Sequence, residues 1–203
     1  MKKIFLLIMM IVSCKAVLRA QSKIDDYQSI YFNKSFDINA SQDKNDTSKY
    51  DYYINCSSMD KLHDDVCLDF SNKRLNDFVD FLNSARQVYI KWSETAKTNN
   101  VSELDKQIDI KPFKCSSAFI YGKWNFDFNV LLTPRVKIVD GKILLILSSG
   151  ELQSSTNEFI KHDGFVFVFT SSKEIDDFVN RIDIKNVKAF FTDKNKKDQL
   201  FKN

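Results

Sequence analysis

Val136-Lys137-Ile138-Val139-Asp140-Gly141-Lys142-Ile143-Leu144-Leu145-Ile146-Leu147 is the stretch whose reading decides the fold. Two β-branched, aliphatic runs flank an Asp-Gly pair, and both turn residues tolerate the positive φ that a type I′ turn demands. The spacing predicts a two-residue hairpin. Its second arm, Lys142 to Leu147, is apolar on both faces after the lysine, which places it inside a sheet covered on both sides rather than at a wet surface.

Reading outward, Trp124, Phe126, Phe128 and Val130 alternate with Lys123, Asn125, Asp127 and Asn129. That period of 2 predicts a strand whose aromatic side faces the core and whose amide and carboxylate side is wet. Ala118 to Tyr121 precedes it as a further strand across Gly122-Lys123, and Thr133-Pro134 is expected to break it. Downstream, a loop from Ser148 to Asp163 leads to Phe165-Val166-Phe167-Val168-Phe169, a second strand apolar on both faces. Ser171-Ser172-Lys173-Glu174 then reads as a capping box opening a helix with Ile175, Phe178, Val179 and Ile182 on one stripe. A last basic segment keeps Ile184, Val187, Phe190 and Phe191 on a helical face.

Upstream, Leu75, Phe78, Val79, Leu82, Ala85, Tyr89, Trp92 and Ala96 follow the i, i+3, i+4, i+7 pattern. They predict one long helix from about Asn72 to Thr98, with Ser71 as N-cap. Tyr50 to Ile54 and Val66 to Phe70 are strands, and Ser102 to Asp105 a short helical turn. The expected fold class is α+β: an antiparallel sheet packed against one long amphipathic helix, with one or two C-terminal helices. The two doubly apolar strands lead us to expect the long helix on one face and the C-terminal helices on the other.

Three segments follow from this. Residues 1–20 carry Lys2-Lys3 and a nine-residue apolar run, Ile4 to Val12, too short for a bilayer of about 30 Å and suited to a secretory signal. Ile11-Val12-Ser13-Cys14 resembles a bacterial lipobox, with Cys14 the residue that would be lipidated, and Leu18-Arg19-Ala20 is the ordinary cleavage alternative. Residues 21–49 are polar and weakly periodic and read as a tether or loop. Residues 50–203 form a single α+β domain.

Composition narrows the function classes. With 4 Gly and 2 Pro in 203 residues there is little material for phosphate-cradling loops, so P-loop and Rossmann readings fall away and no cofactor is expected. Charge is uneven: 5 Lys against 10 Asp in residues 21–70, and 6 Lys against 2 Asp in residues 185–203. Neither end resembles a nucleic-acid arm, and the C-terminal lysines fit the solvated side of a docked helix. Beyond Cys14, three cysteines allow one bridge; Cys56 to Cys67 is the expected pair, with Cys115 left over as a small buried hydrophobe.

Candidate chemistry is sparse. Asp60, His63, Asp64, Asp65 and Asp69 match neither H-E-x-x-H nor a calcium loop, so no metal is expected. His162-Asp163 lies near Ser148, Ser149, Ser154 and Ser155 in sequence, without a G-x-S-x-G elbow. Asp127, on the expected wet face, is the carboxylate whose context invites a site. Tyr50, Tyr52 and Tyr53 offer rigid amphipathic area for recognition. The expectation is an exported, non-catalytic protein of the cell envelope that binds a protein or glycan partner, and meets the membrane only through a lipid anchor. The alternatives are a periplasmic immunity or inhibitor protein, and a small secreted hydrolase with an acidic site.

Overall fold

The computed structural model describes residues 21–200. Residues 1–20, the expected signal segment with Cys14, lie outside the described residues. The chain runs β1 (Ser22–Ser29), β2 (Lys34–Gln42), β3 (Tyr50–Asn55), β4 (Ser57–Ser58) and β5 (Val66–Ser71). A 3-10 turn (Asn72–Arg74) leads into α1 (Leu75–Thr98), then β6 (Leu104–Gln107), β7 (Phe113–Tyr121), β8 (Lys123–Val139) and β9 (Lys142–Ser148). It ends with β10 (Leu152–Ser154), β11 (Asn157–His162), β12 (Phe165–Phe169), α2 (Ser172–Arg181) and α3 (Ile184–Gln199). The fold is α+β, as the patterning predicts.

Ten strands form one antiparallel sheet in the order β1-β2-β3-β5-β7-β8-β9-β12-β4, with β6 also paired to β8, and β10 and β11 form a separate ribbon. The Asp140-Gly141 hairpin joins β8 to β9, with φ of 50° and 73° at its two turn residues as a type I′ turn requires. The second arm, β9, sits between β8 and β12.

Four expectations are corrected. Residues 21–49 are not a tether: β1 and β2 form a hairpin in the sheet, because Tyr27, Phe36, Ile38 and Ala40 alternate inward and are buried. Ser102 to Asp105 is not helical; Leu104 begins β6. The expected loop after Ser148 contains the β10–β11 ribbon. Pro134 does not end β8, since its missing N–H falls where the neighbour on that edge changes from β7, whose pairing reaches Leu132 of β8, to β6, whose pairing begins at Arg135 of β8.

The helices all pack on one face, which corrects the two-sided arrangement. Phe78 of α1 lies 5.0 Å from Phe70 of β5, 4.8 Å from Phe113 of β7 and 6.3 Å from Phe178 of α2, ring to ring. Tyr50 of β3 stacks at 5.5 Å on Phe191 of α3, and Tyr52, two residues on, at 5.2 Å on Phe70. We call this helix-covered side the inner face. The predicted stripe of α1 is buried, with Phe81 added and Val79 and Trp92 only partly covered. Each large side chain so buried contributes roughly 1.5–3 kcal/mol.

β1, at one end of the sheet, and β12, next to the short end strand β4, converge on α2. Tyr27 of β1 lies 5.8 Å from Phe169 of β12 and 5.1 Å from Phe178. A buried carboxylate closes this seam. Glu174 accepts from the Tyr27 hydroxyl (2.6 Å) and the Ile30 amide (3.1 Å) on one oxygen, and from the Thr170 amide (2.7 Å) and hydroxyl (3.0 Å) on the other. Only half the capping box forms as predicted: Ser171 Oγ accepts from the Glu174 amide at 3.2 Å. The Glu174 side chain serves the seam instead. Burial and the bond to Glu174 push the Tyr27 phenol well above its ordinary range, so it stays a donor.

Replacing Glu174 with alanine leaves buried donors on both sides of the seam without a partner. We expect a loss of about 3 kcal/mol in urea unfolding, and Tyr27→Phe, which removes one bond, to cost about 1–2 kcal/mol. A Glu174→Ala loss below about 1 kcal/mol would contradict this role.

Candidate functional site

β8 is 17 residues long, and its apolar residues from Trp124 to Ile138, Leu131 apart, fall on even numbers. In a regular strand they would share one face. They do not. Cys115 pairs with Val130 and Ser117 with Asp127, so two residues of β8, Phe128 and Asn129, stand opposite the single Ser116 of β7. This bulge reverses the facing of everything before it. Val130, Leu132, Val136 and Ile138 are buried inward, whereas Trp124 (50% exposed), Phe126 (40%) and Phe128 (57%) stand outward beside Leu131 (48%). The Phe126 and Phe128 rings lie parallel within 5°, with centroids 6.2 Å apart.

The predicted wet side is correspondingly inside. Asn125 is 2% exposed, donates to the carbonyls of Lys123 (2.8 Å) and Tyr121 (3.4 Å), and accepts from Ser154 Oγ at 3.0 Å. Asp127 accepts from the Asn129 amide and from the Gln153 amide, both at 2.9 Å. The first bond offers the backbone an alternative to the ladder and holds the bulge; the second, with Ser155 N–H to Phe126 O at 2.8 Å, docks the β10–β11 ribbon. Asp127 thus clips the ribbon to β8.

The tyrosine run divides. Tyr50 and Tyr52 are buried in the inner core, which removes them from any exposed patch. The Tyr52 hydroxyl has no hydrogen-bond partner among the described residues, and burial pushes its phenol far above the ordinary value. Tyr53 alone faces outward, opposite Asp69 of β5. Burial, with the Asp51 charge adding to it, raises the Asp69 carboxyl to about 7.

Cys56, Cys67 and Cys115 are buried free thiols, so the expected Cys56–Cys67 bridge is not formed. Sheet parity explains it. Cys56 belongs to the inner core with Ile54 and Val66, whereas Cys67, between Val66 and Leu68, turns to the outer face beside Ala118. Burial pushes both Cys67 and Cys115 up to about 12.

The histidines do come together. His162 Nε2 lies 3.1 Å from His63 O and 3.3 Å from Ser58 Oγ, and Asp60 Oδ1 is 3.2 Å from His63 Nδ1. The Leu62 amide bond to Asp60, chiefly, holds its carboxyl below the ordinary value. Yet His162 Nδ1 accepts from the Gly164 amide at 3.0 Å, which puts the proton on Nε2. His162 therefore donates toward Ser58 and cannot act as its base, while the Ser58 hydroxyl gives its own proton to His63 O at 2.7 Å. The cluster pins a crossing: a Cβ at Gly164 would meet Gly150 O at 1.9 Å. Asp163 takes no part in it. Among the described residues no three His, Cys, Asp or Glu side chains group as metal ligands.

Two open hollows, of ≈ 340 Å³ beside Tyr89, Lys97 and Ser172 and ≈ 300 Å³ beside Arg74, Phe81 and Lys111, contain neither the histidines nor the aromatic row. The C-terminal lysines behave as the solvated side of α3: Lys194 bonds Ser22 Oγ at 2.8 Å, and Val187 and Phe191 dock into the core.

The aromatic row was missed from sequence because its alternation runs unbroken through the bulge. The signal that could have exposed it is Asp127-Phe128-Asn129, a short polar side chain placed to bond the amide two residues on. No family model, curated protein or solved structure matches this chain.

Thiol titration checks the site's redox state. In residues 21–203, a disulfide reagent at pH 8 should find no rapidly reacting thiol in the native protein and three after denaturation without reductant. One thiol after denaturation would restore the bridge.

Proposed function

We propose that this is an exported, non-catalytic binding protein of the cell envelope whose contact surface is the outer face of β7 and β8. The observation that carries the reading is the row Trp124, Phe126, Phe128 and Leu131, exposed on one edge of the outer face with two rings held parallel. Soluble domains rarely leave large apolar side chains contiguous at the surface unless something covers them, and Trp and Phe are the residues enriched in buried contact centres. The surface is built on a strand, not a loop. The row is held rigid by the β7 ladder behind it, so little ordering entropy is lost on contact. Lys114 of the neighbouring β7, opposite Leu131, adds a polar flank to the row. Export rests on the anatomy of residues 1–20 and a protein or glycan as partner on the mixed aromatic and polar face.

A photo-crosslinking residue in place of Phe128, expressed in the cells that make the protein, tests this. We expect one discrete adduct, absent when the same residue replaces Lys91 on the exposed side of α1, and lost when Trp124 and Phe126 are changed to serine. No adduct from position 128, or equal adducts from position 91, would overturn the proposed surface.

A further inference from the structure

The outer face holds a second feature beside its aromatic row. Registers across four strands align Asn39, Tyr53, Asp69 and Ser116, and Ser116 is the residue that faces the Phe128–Asn129 bulge. Asp69 is thus a partly buried carboxyl in the middle of the sheet, one strand away from the bulge that aims the aromatic row. The groups that meet it are few. From β3 come Tyr53, directly opposite, and Asp51, two residues along on the same face. From β7 come Ser116 and, two residues along, Lys114, which pairs on its far side with Leu131 of β8. On β5 itself the outward neighbours are Cys67 and Ser71, and the Cys115 thiol lies on the opposite face of β7. Asp51 and Asp69 repel each other across neighbouring strands, and burial denies Asp69 the water that an ionised carboxylate needs.

We propose that Asp69 is a proton switch set into the outer face: neutral, it spares the junction of β3, β5 and β7 a second negative charge beside Asp51; ionised, it draws water into that junction and opposes an uncharged, apolar molecule that covers Phe126 and Phe128. The effect on a covering molecule rests on the contact-surface reading above; the effect on the fold does not. The sign follows from linkage. Asp69 keeps its proton in the folded state up to about 7, against an ordinary value of 3.8. The stabilisation is therefore complete below about pH 4 and is lost as pH rises through neutrality.

Three measurements on residues 21–203 test it. In ¹³C NMR the Asp69 carboxyl should titrate near neutrality. In urea unfolding, the equilibrium constant for unfolding should rise between pH 5 and pH 8 by roughly 100-fold more in the wild type than in Asp69→Asn. Nile red, an uncharged dye, should bind the wild type more tightly at pH 5.5 than at pH 8, and Asp69→Asn equally at both. An Asp69 carboxyl titrating near 4, or matching pH profiles for the two proteins, would overturn the switch even if the variant folds poorly, since the titration needs only the wild type. The Phe126→Ser/Phe128→Ser double variant separates the two ideas. Dye binding that needs both rings but ignores Asp69 would refute the control of the face while leaving the surface standing. Dye binding that persists without the rings, with Asp69 titrating as expected, would refute the surface and leave the switch.

Discussion

A strand can present only every second side chain to one face, and in this protein one extra residue in β8 decides which. With Phe128 and Asn129 both opposite Ser116, the register changes by one, and the apolar side of β8 is split. Its second half, from Val130 to Ile138, completes the floor on which α1 lies. Its first half turns Trp124, Phe126 and Phe128 away from the helices. Removing the bulge would press three aromatic rings into a space now filled by Asn125, Asp127 and the ribbon they hold. The polar pair is as necessary to this arrangement as the rings are, because it gives the β10–β11 ribbon its anchors.

The rest of the architecture keeps the sheet curled around its helices. All three helices lie on one side, and β1 and β12 from opposite ends of the strand order meet at α2 through Tyr27, Phe169 and Phe178. Glu174 stabilises that meeting because its four donors come from both sides of it: Tyr27 in β1 and Ile30 just after it, and the amide and hydroxyl of Thr170 after β12. An ionised side chain is costly to bury unless each oxygen is satisfied, and here each oxygen has two donors. Arg181 to Asp25 and Arg86 to Asp176, at 2.8 and 2.7 Å, connect the same helix to β1 and α1, but half-exposed pairs of this kind add little.

Much of this was legible in the residues. The Asp140-Gly141 turn, the α1 stripe, the strand Phe165–Phe169 and the Ser171 cap each follow from local chemistry that tertiary context did not override. What was not legible depended on pairing. The hairpin of β1 and β2 looked like a tether because its inward alternation, Phe36, Ile38 and Ala40, is short and set in a polar stretch, with Tyr27 the one buried aromatic of β1. The Cys56–Cys67 pair looked close because it is close in sequence, and only sheet parity separates the two sulfurs. The outward row looked like core because a bulge leaves no gap in an alternating pattern. Tyr50 and Tyr52 erred in the other direction: their polar ends suggested a surface, and their rings fill the layer between β3, Phe70 and Phe191.

The account therefore stands on the direction in which three rings point, and that can be measured without knowing any partner. Relaxation of the aromatic protons of ¹³C-labelled protein by a soluble, uncharged gadolinium chelate reports how near solvent each ring lies. The bulge predicts strong relaxation at Trp124, Phe126 and Phe128 and little at Phe113, Phe119 or Phe165, which are buried inward. If Phe126 and Phe128 are as protected as Phe119, the register of β8 is regular, the row belongs to the core, and the proposed surface does not exist.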